Sequence, residues 1–235
     1  MNVDIHAKFF GTTHVLGNIR ITAKPGEVLA ITGASGVGKS TLMRLVAGLD
    51  EQFEGTVSGI GKVGFVFQEP TLLPWRSLLD NITITTGCTA ITAQTALDQV
   101  DLGTRSKAYP NQLSLGQQRR VSLARALAVN PQTLILDEAF ASLDEATATK
   151  MRNLTQRLLK KNRFRTLLVT HSLEEAAMMA DRVLLLQGSP AQITLDHAIQ
   201  NPPTNRNHQS EIARLRARIV SLGSKPVRPV SGSRG

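Results

Sequence analysis

Five short apolar runs recur along the chain, at residues 28–32, 63–67, 134–136, 167–170 and 183–186, each bounded by turn residues and separated by helical patterning. None of them alternates with polar positions. A strand with one face in water shows such alternation, whereas a strand buried on both faces of a largely parallel sheet reads as continuous Val, Ile and Leu. Between the runs, residues 39–47 predict a helix stopped by Gly48, and residues 145–161 a longer one whose basic end is C-terminal, as the helix dipole favours. Ser172-Leu-Glu-Glu175 has capping-box spacing ahead of Ala176-Ala-Met-Met-Ala180 and predicts another helix directly after His171. The pattern is that of an α/β fold with a parallel-rich sheet.

Residues 71–130 contain no comparable run. Residues 78–84, 93–100 and 117–128 read as helices there, with Pro70, Pro74, Pro110 and Pro131 as punctuation, so a helical subdomain is expected within the α/β core. Beyond Gln187 the pattern weakens, and residues 201–207, Asn-Pro-Pro-Thr-Asn-Arg-Asn, read as a linker. After it, Ile212, Leu215, Ile219 and Leu222 fall at helical spacing among arginines. Two readings stand for this segment: a short solvated helix on a frayed tail, or a contact with a membrane surface or partner. The expected organisation is one nucleotide-binding domain over residues 1–200 and a basic C-terminal tail over 201–235.

Composition narrows the class. With 235 residues, 41% of them hydrophobic, the chain has material for one sizeable core or two small ones and is too apolar for a disordered protein. No apolar run approaches the ~18 residues a bilayer requires, and the first residues lack the basic-then-apolar layout of a signal peptide. A protein neither secreted nor membrane-spanning is therefore expected. Cys88 is the one cysteine, so neither an internal disulfide nor a zinc module with a second thiol is available. The net charge of +9 suggests nucleic acid until it is located: residues 201–235 hold seven Lys/Arg against Glu211 alone, a balance of +6 that leaves +3 for the rest. Aromatic residues at 4% are also too few for a surface that stacks bases, and no nucleic-acid partner is expected.

The strongest chemical signal is Gly33-Ala-Ser-Gly-Val-Gly-Lys-Ser40, which fits G-x-x-x-x-G-K-[ST] and lies between a predicted strand and a predicted helix. Glycines let backbone N–H groups converge on phosphate oxygens, Lys39 can neutralise the β and γ phosphates, and Ser40 can offer its hydroxyl to Mg²⁺ at a helix N-terminus. Thr133-Leu-Ile-Leu-Asp-Glu138 then brings two adjacent carboxylates to the C-terminal end of a strand, where open α/β sheets bind ligands. Asp137 is placed to hold Mg²⁺ through its shell and Glu138 to polarise an attacking water. Together they mark a P-loop NTPase.

Four weaker signals follow in order: Gln68 at the end of a strand, Asn111-Gln-Leu-Ser-Leu-Gly-Gln-Gln-Arg-Arg120 before a helix, Ala141-Ser-Leu-Asp144 after the acidic pair, and His171 at the end of a later strand. Over residues 1–190 this order and spacing resemble the nucleotide-binding subunit of an ABC transporter. The resemblance implies that Gly33, Ala34, Ser35, Gly36, Val37, Gly38, Lys39, Ser40 and Thr41 form the phosphate loop. It makes Gln68 the residue that contacts Mg²⁺ and senses the permease, Asp137 the Walker B aspartate, Glu138 the catalytic base, Asp144 the D-loop residue and His171 the switch histidine on the γ-phosphate. Leu113 to Gln117 corresponds to the signature motif, whose Ser114, Gly116 and Gln117 would face the γ-phosphate held by a partner subunit, which implies a head-to-tail homodimer with two ATP molecules at its interface. Phe10 stands where the family often carries an adenine-stacking tyrosine, with Phe9 beside it as the other candidate ring.

Three positions depart from the commonest family pattern: Leu115 replaces a glycine in the signature, Ala139 a proline after the acidic pair, and Ala141-Ser-Leu-Asp144 is permuted. Pro70-Thr-Leu-Leu-Pro-Trp-Arg76, directly after Gln68, is similar to the segment in importers of nitrate, taurine and alkanesulfonates and in the related pyrimidine-precursor systems. Trp75 is read either as an apolar knob for a membrane subunit or as filler in the core of the helical insert. The resemblance thus implies a peripheral subunit on the cytoplasmic face of a bacterial inner membrane, with two permease subunits and, indirectly, an extracytoplasmic binding protein. The alternatives are a pyrimidine- or thiamine-precursor importer, a soluble ABC-type ATPase acting on nucleic acid or ribosomes, and a non-hydrolysing cassette prompted by Leu115.

Overall fold

A computed structural model describes residues 1–199 and 208–223. The strands in chain order are β1 (Asn2–Phe10), β2 (Thr13–Leu16), β3 (Ile19–Thr22), β4 (Val28–Thr32), β5 (Glu54–Ser58), β6 (Val63–Val66), β7 (Thr133–Asp137), β8 (Arg165–Val169), β9 (Arg182–Gly188) and β10 (Ala191–Ala198). The helices are α1 (Lys39–Val46), α2 (Leu78–Thr86), α3 (Ala90–Gln99), α4 (Leu115–Ala128), α5 (Glu145–Asn162), α6 (Leu173–Met179) and α7 (His208–Gly223).

The five apolar runs become five mutually parallel neighbours in the order β9-β4-β8-β7-β6. Every residue of β4 and β7 is buried, because each strand is covered on both faces. Val28 and Ala30 turn to a core shared with α2 to α6, while Leu29 and Ile31 turn to a second core with α1 and the N-terminal strands. Outside the parallel block, β1 pairs antiparallel with β2, β3 and β5, and β10 pairs antiparallel with β9. The weak pattern past Gln187 thus conceals β10, whose burial alternates Ala191-in, Gln192-out because one face is solvated.

The segment between β6 and β7 carries α2, α3 and α4, packed against one another. The predicted helix after His171 is α6, but its cap is half of the expected box. Ser172 Oγ accepts from the Glu175 N–H at 3.2 Å, whereas the Glu175 carboxylate takes the Thr170 hydroxyl at 2.6 Å and leaves the Ser172 N–H to the Thr170 oxygen.

The expectation of a solvated C-terminal helix is corrected. α7 lies against α6 and β10, with Leu215 fully buried in the larger core and Ile212 packed on it. Arg216 reaches Glu174 on α6 at 2.7 Å. Glu211, also buried, meets His197 Nε2 at 2.9 Å, and Arg218 Nη1 sits 2.9 Å from His197 Nδ1. Since a guanidinium only donates, Nδ1 is the acceptor and the Nε2–H points at the Glu211 carboxylate. The helical spacing of Ile212, Leu215, Ile219 and Leu222 does not say which surface their face meets; for Ile212 and Leu215 it is the core of this same fold, while the side chain of Leu222 lies outside the described residues. The linker reading of residues 201–207 lies outside the described residues.

A chain ending at residue 199 should therefore unfold at lower temperature than the full chain. Losing the burial of Leu215 and Ile212 costs about 3 kcal/mol, which at this size lowers the midpoint by roughly 6–12 °C. ATP turnover of the folded fraction should stay unchanged. Thermal unfolding monitored by circular dichroism checks this, and an unchanged midpoint would mean the docking of α7 contributes no stability.

Candidate active site

The phosphate loop joins the buried end of β4 to the first turn of α1. Two glycines make its course possible. Gly38, the N-cap of α1, has φ 111°, and a Cβ there would lie 2.7 Å from Leu16 Cδ2. Gly33 has φ 155°, and a Cβ would lie 2.4 Å from the Leu186 carbonyl oxygen on β9. With no side chain capping it, the N-terminus of α1 keeps its first N–H groups for a ligand, and Ala34, Ser35, Gly36 and Ser40 are exposed. Val37 and Thr41 are half-buried beside them. Lys39 is 5% exposed, and its ammonium donates to the carbonyls of Gly33 and Ala34, each at 2.9 Å. The cation is thus folded over the loop it would otherwise extend from.

β7 ends in Asp137, which is 8% exposed and whose Oδ1 is buried without a hydrogen-bond partner. Burial pushes its carboxyl up from the usual aspartate range; the Ser40 hydroxyl opposes this, the Glu138 charge adds to it, and the Lys39 and Arg44 cations counter it. An unpartnered buried carboxylate oxygen facing a serine hydroxyl is a donor set suited to a hard divalent cation, so the residues fit Mg²⁺. Glu138 follows with φ 47°, a left-handed backbone uncommon outside glycine. Its N–H donates to Val169 O at 3.0 Å, and its carboxylate Oε1 lies 3.8 Å from His171 Nδ1. The chain thereby brings Lys39, Ser40, Asp137, Glu138 and His171 to the C-terminal ends of adjacent parallel strands. Gln68 is exposed just past β6, the neighbour of β7.

The remaining expected residues have local roles here. Ser114 caps α4 by accepting from the Gln117 N–H at 3.4 Å, and Gln117 Oε1 returns to the Ser114 N–H at 3.0 Å. Gly116 is buried, and a Cβ on it would come within 2.4 Å of Thr147 Cγ2 on α5. Asp144 caps α5, accepting from the Thr147 N–H at 3.0 Å, and hydrogen bonds from Thr147 hold its carboxyl below the usual range. Leu115 is exposed on the first turn of α4. Phe9 stacks on His14 at 4.4 Å, whereas Phe10 is half exposed with Lys8 Nζ 4.7 Å over its ring.

Trp75 is 69% exposed, which excludes its reading as core filler. Its segment is nevertheless rigidly held, by residues that sequence reading did not single out. Asn81, fully buried, accepts from the Leu73 N–H at 2.7 Å and donates to the carbonyls of Leu73, Arg76 and Ser77. From α4, Ser122 donates to Pro70 O at 2.8 Å, and Arg125 to Pro70 O and Thr71 O, both at 3.1 Å. An asparagine beside the apolar residues of the helix predicted over 78–84 was the available signal, since a polar residue buried there must find partners.

Comparison with known proteins agrees with this geometry. The ABC transporter family model matches residues 16–141. The aliphatic sulfonates import ATP-binding protein SsuB 1 of Agrobacterium fabrum is 40% identical over 224 residues, covering 91% of this chain and 80% of that protein. The protein of the same name from Rhodococcus jostii is 44% identical over 194 residues, covering 79% of each. Among solved structures, the dimeric post-hydrolysis state of the ATP-binding cassette MJ0796 bound to ADP and Pi superposes with a TM-score of 0.72 at 27% identity, covering 86% of this chain and 99% of that one. With the phosphate loop, the acidic strand end and the sheet order in place, these matches establish that the chain belongs to the ABC transporter family.

Proposed function

We propose that the chain binds and hydrolyses ATP to energise an importer, working as a head-to-tail homodimer beneath two permease subunits. The observation that carries the chemistry is the convergence of Lys39, the buried Asp137 carboxylate and Glu138 at the strand ends. Lys39 exchanges its two loop carbonyls for phosphate oxygens, and the free N–H groups of α1 take the remaining negative charge. Glu138 orients and deprotonates the attacking water, and His171 lies within reach of the same phosphate edge. Ser40, Asp137 and Gln68 would hold Mg²⁺, which supplies charge neutralisation between the β and γ phosphates when bound. Ser114 and Gly116 of each subunit would face the γ-phosphate of the other across the dimer, from the N-terminal turn of α4, with Gln117 and Asp144 ordering the two helix starts behind them. Phe10 offers its ring to the adenine.

For the cargo, an aliphatic sulfonate is the reading that the names of the relatives support; the resemblance of residues 70–76 adds a taurine-like anion, with nitrate next and a pyrimidine or thiamine precursor behind. Trp75, exposed on a firmly hydrogen-bonded segment beside Gln68, is the knob for a cytoplasmic permease loop, and under this reading the chain works at the cytoplasmic face of the membrane. Among the described residues no helix is long and apolar enough to cross a bilayer itself. The docking of α7 also withdraws part of the basic tail from the nucleic-acid alternative.

Affinity purification from detergent-solubilised membranes tests this reading. A multi-spanning permease should co-purify with the wild-type chain and be lost or strongly reduced with Trp75→Ala, while the ATPase activity of the isolated subunit stays the same. Recovery only with ribosomes or nucleic acid would sink the transporter assignment.

A further inference from the structure

One buried cation has no role in the chemistry above. Arg119 lies on the second turn of α4, is 4% exposed, and has no carboxylate partner among the described residues. Its Nη1 donates to the carbonyl oxygens of Glu138 at 3.2 Å and Ala139 at 3.0 Å, while its Nε is buried without a partner. Burying a guanidinium without a counter-charge is unfavourable, more so than filling the same space with an apolar side chain. The placement therefore calls for a return, and its target is informative.

Glu138 is held at φ 47°, in a backbone region that is unfavourable for a non-glycine residue and persists only where neighbours over-determine it. Ala139 next to it leaves φ free where a proline would not. The pins on this turn are the Glu138 N–H to Val169 O, the Ala141 N–H to Glu138 O at 3.1 Å, and the two bonds from Arg119. Among the described residues only Arg119 holds both carbonyls at once. Its own backbone is fixed from the far side as well: Arg119, Ser122 and Arg125 recur every three residues along α4, and the latter two grip Pro70 and Thr71. The guanidinium is therefore presented to the turn by a helix that is itself tied to the segment after Gln68.

We propose that Arg119 is a positioning residue for hydrolysis: by clamping the carbonyls of Glu138 and Ala139 it fixes the turn that aims the Glu138 carboxylate at the attacking water. The proposal rests on the assignment of Glu138 as general base. Arg119 touches neither nucleotide nor water, so its removal should affect the chemical step and spare ATP binding.

The test uses the full chain with Arg119→Met, which keeps the bulk without the donors, Arg119→Lys, which restores a cation able to reach one carbonyl, and Glu138→Gln as a reference. Steady-state hydrolysis, the dissociation constant of a fluorescent ATP analogue and the thermal midpoint are read on each. Arg119→Met should lower kcat by about 10- to 100-fold, as a small misplacement of a catalytic group does, with KM and analogue affinity within about 2-fold of wild type. Arg119→Lys should recover much of the loss. An unchanged kcat in folded Arg119→Met overturns the proposal, and so does a loss of analogue binding and thermal stability in both Arg119 variants that tracks the loss of turnover. Wild-type turnover in Glu138→Gln would instead sink the assignment of the base, and the clamp with it.

Discussion

Substituting Glu138 by glutamine is expected to reduce ATP turnover by about 10²- to 10⁴-fold, the range that loss of a positioned general base produces, while leaving ATP binding intact. Glutamine keeps the length and planar shape of the side chain, so the turn and its hydrogen bonds to Val169, Ala141 and Arg119, all made through the backbone, survive. What disappears is the proton acceptor and a negative charge 3.8 Å from His171. Bound ATP then persists between the phosphate loop of one subunit and the α4 N-terminus of the other, and the variant should elute as a dimer with ATP and Mg²⁺ where the wild type reverts to monomers. Single-turnover hydrolysis with light scattering checks both halves. A variant that stays monomeric with saturating ATP would refute the dimer mechanism, and near-normal turnover would refute the role of Glu138.

Lys39→Ala should fail earlier in the cycle. The lysine ammonium is the cation built into the loop itself, and a charge-assisted hydrogen bond to phosphate contributes about 1.5–3 kcal/mol, so ATP affinity should fall roughly 10- to 100-fold and turnover at ordinary ATP concentrations should be lost. The fold should tolerate the change. The Gly33 and Ala34 carbonyls lose their donor, but Ala34 is exposed and water can replace it. Calorimetric titration with ATP separates this variant from Glu138→Gln: weak binding in the first, tight binding without turnover in the second. Equal affinity in Lys39→Ala and wild type would remove Lys39 from phosphate binding.

Most of what these two variants probe was legible in the order of residues. A strand buried on both faces cannot alternate, so β4, β6, β7, β8 and β9 were readable as apolar runs, and the chemistry sits at their ends because the phosphate loop and the acidic pair are contiguous with them. The antiparallel strands were harder. β1, β2, β3 and β5 are short or half-exposed, with polar positions that local pattern assigns to loops, and β10 is recognisable only once β9 is there to pair with it. The tail failed for a similar reason: an amphipathic helix announces that it has an apolar face and says nothing about which surface will cover it.

The sequence by itself determined the fold class, the phosphate loop, the two carboxylates and the family, because each depends on residue types at fixed short spacing. Tertiary structure alone decided that Trp75 is exposed, that Leu215 closes the core, and that Asn81 and Arg125 hold the segment after Gln68. It also decided that Arg119, nineteen positions from Glu138, grips the backbone of the turn at Glu138. These are long-range pairings between a side chain and a backbone carbonyl or a distant apolar surface. A carbonyl is present at every residue, so no spacing or residue type marks the one that a buried arginine will find; only the placement of α4 beside the turn that follows β7 selects it.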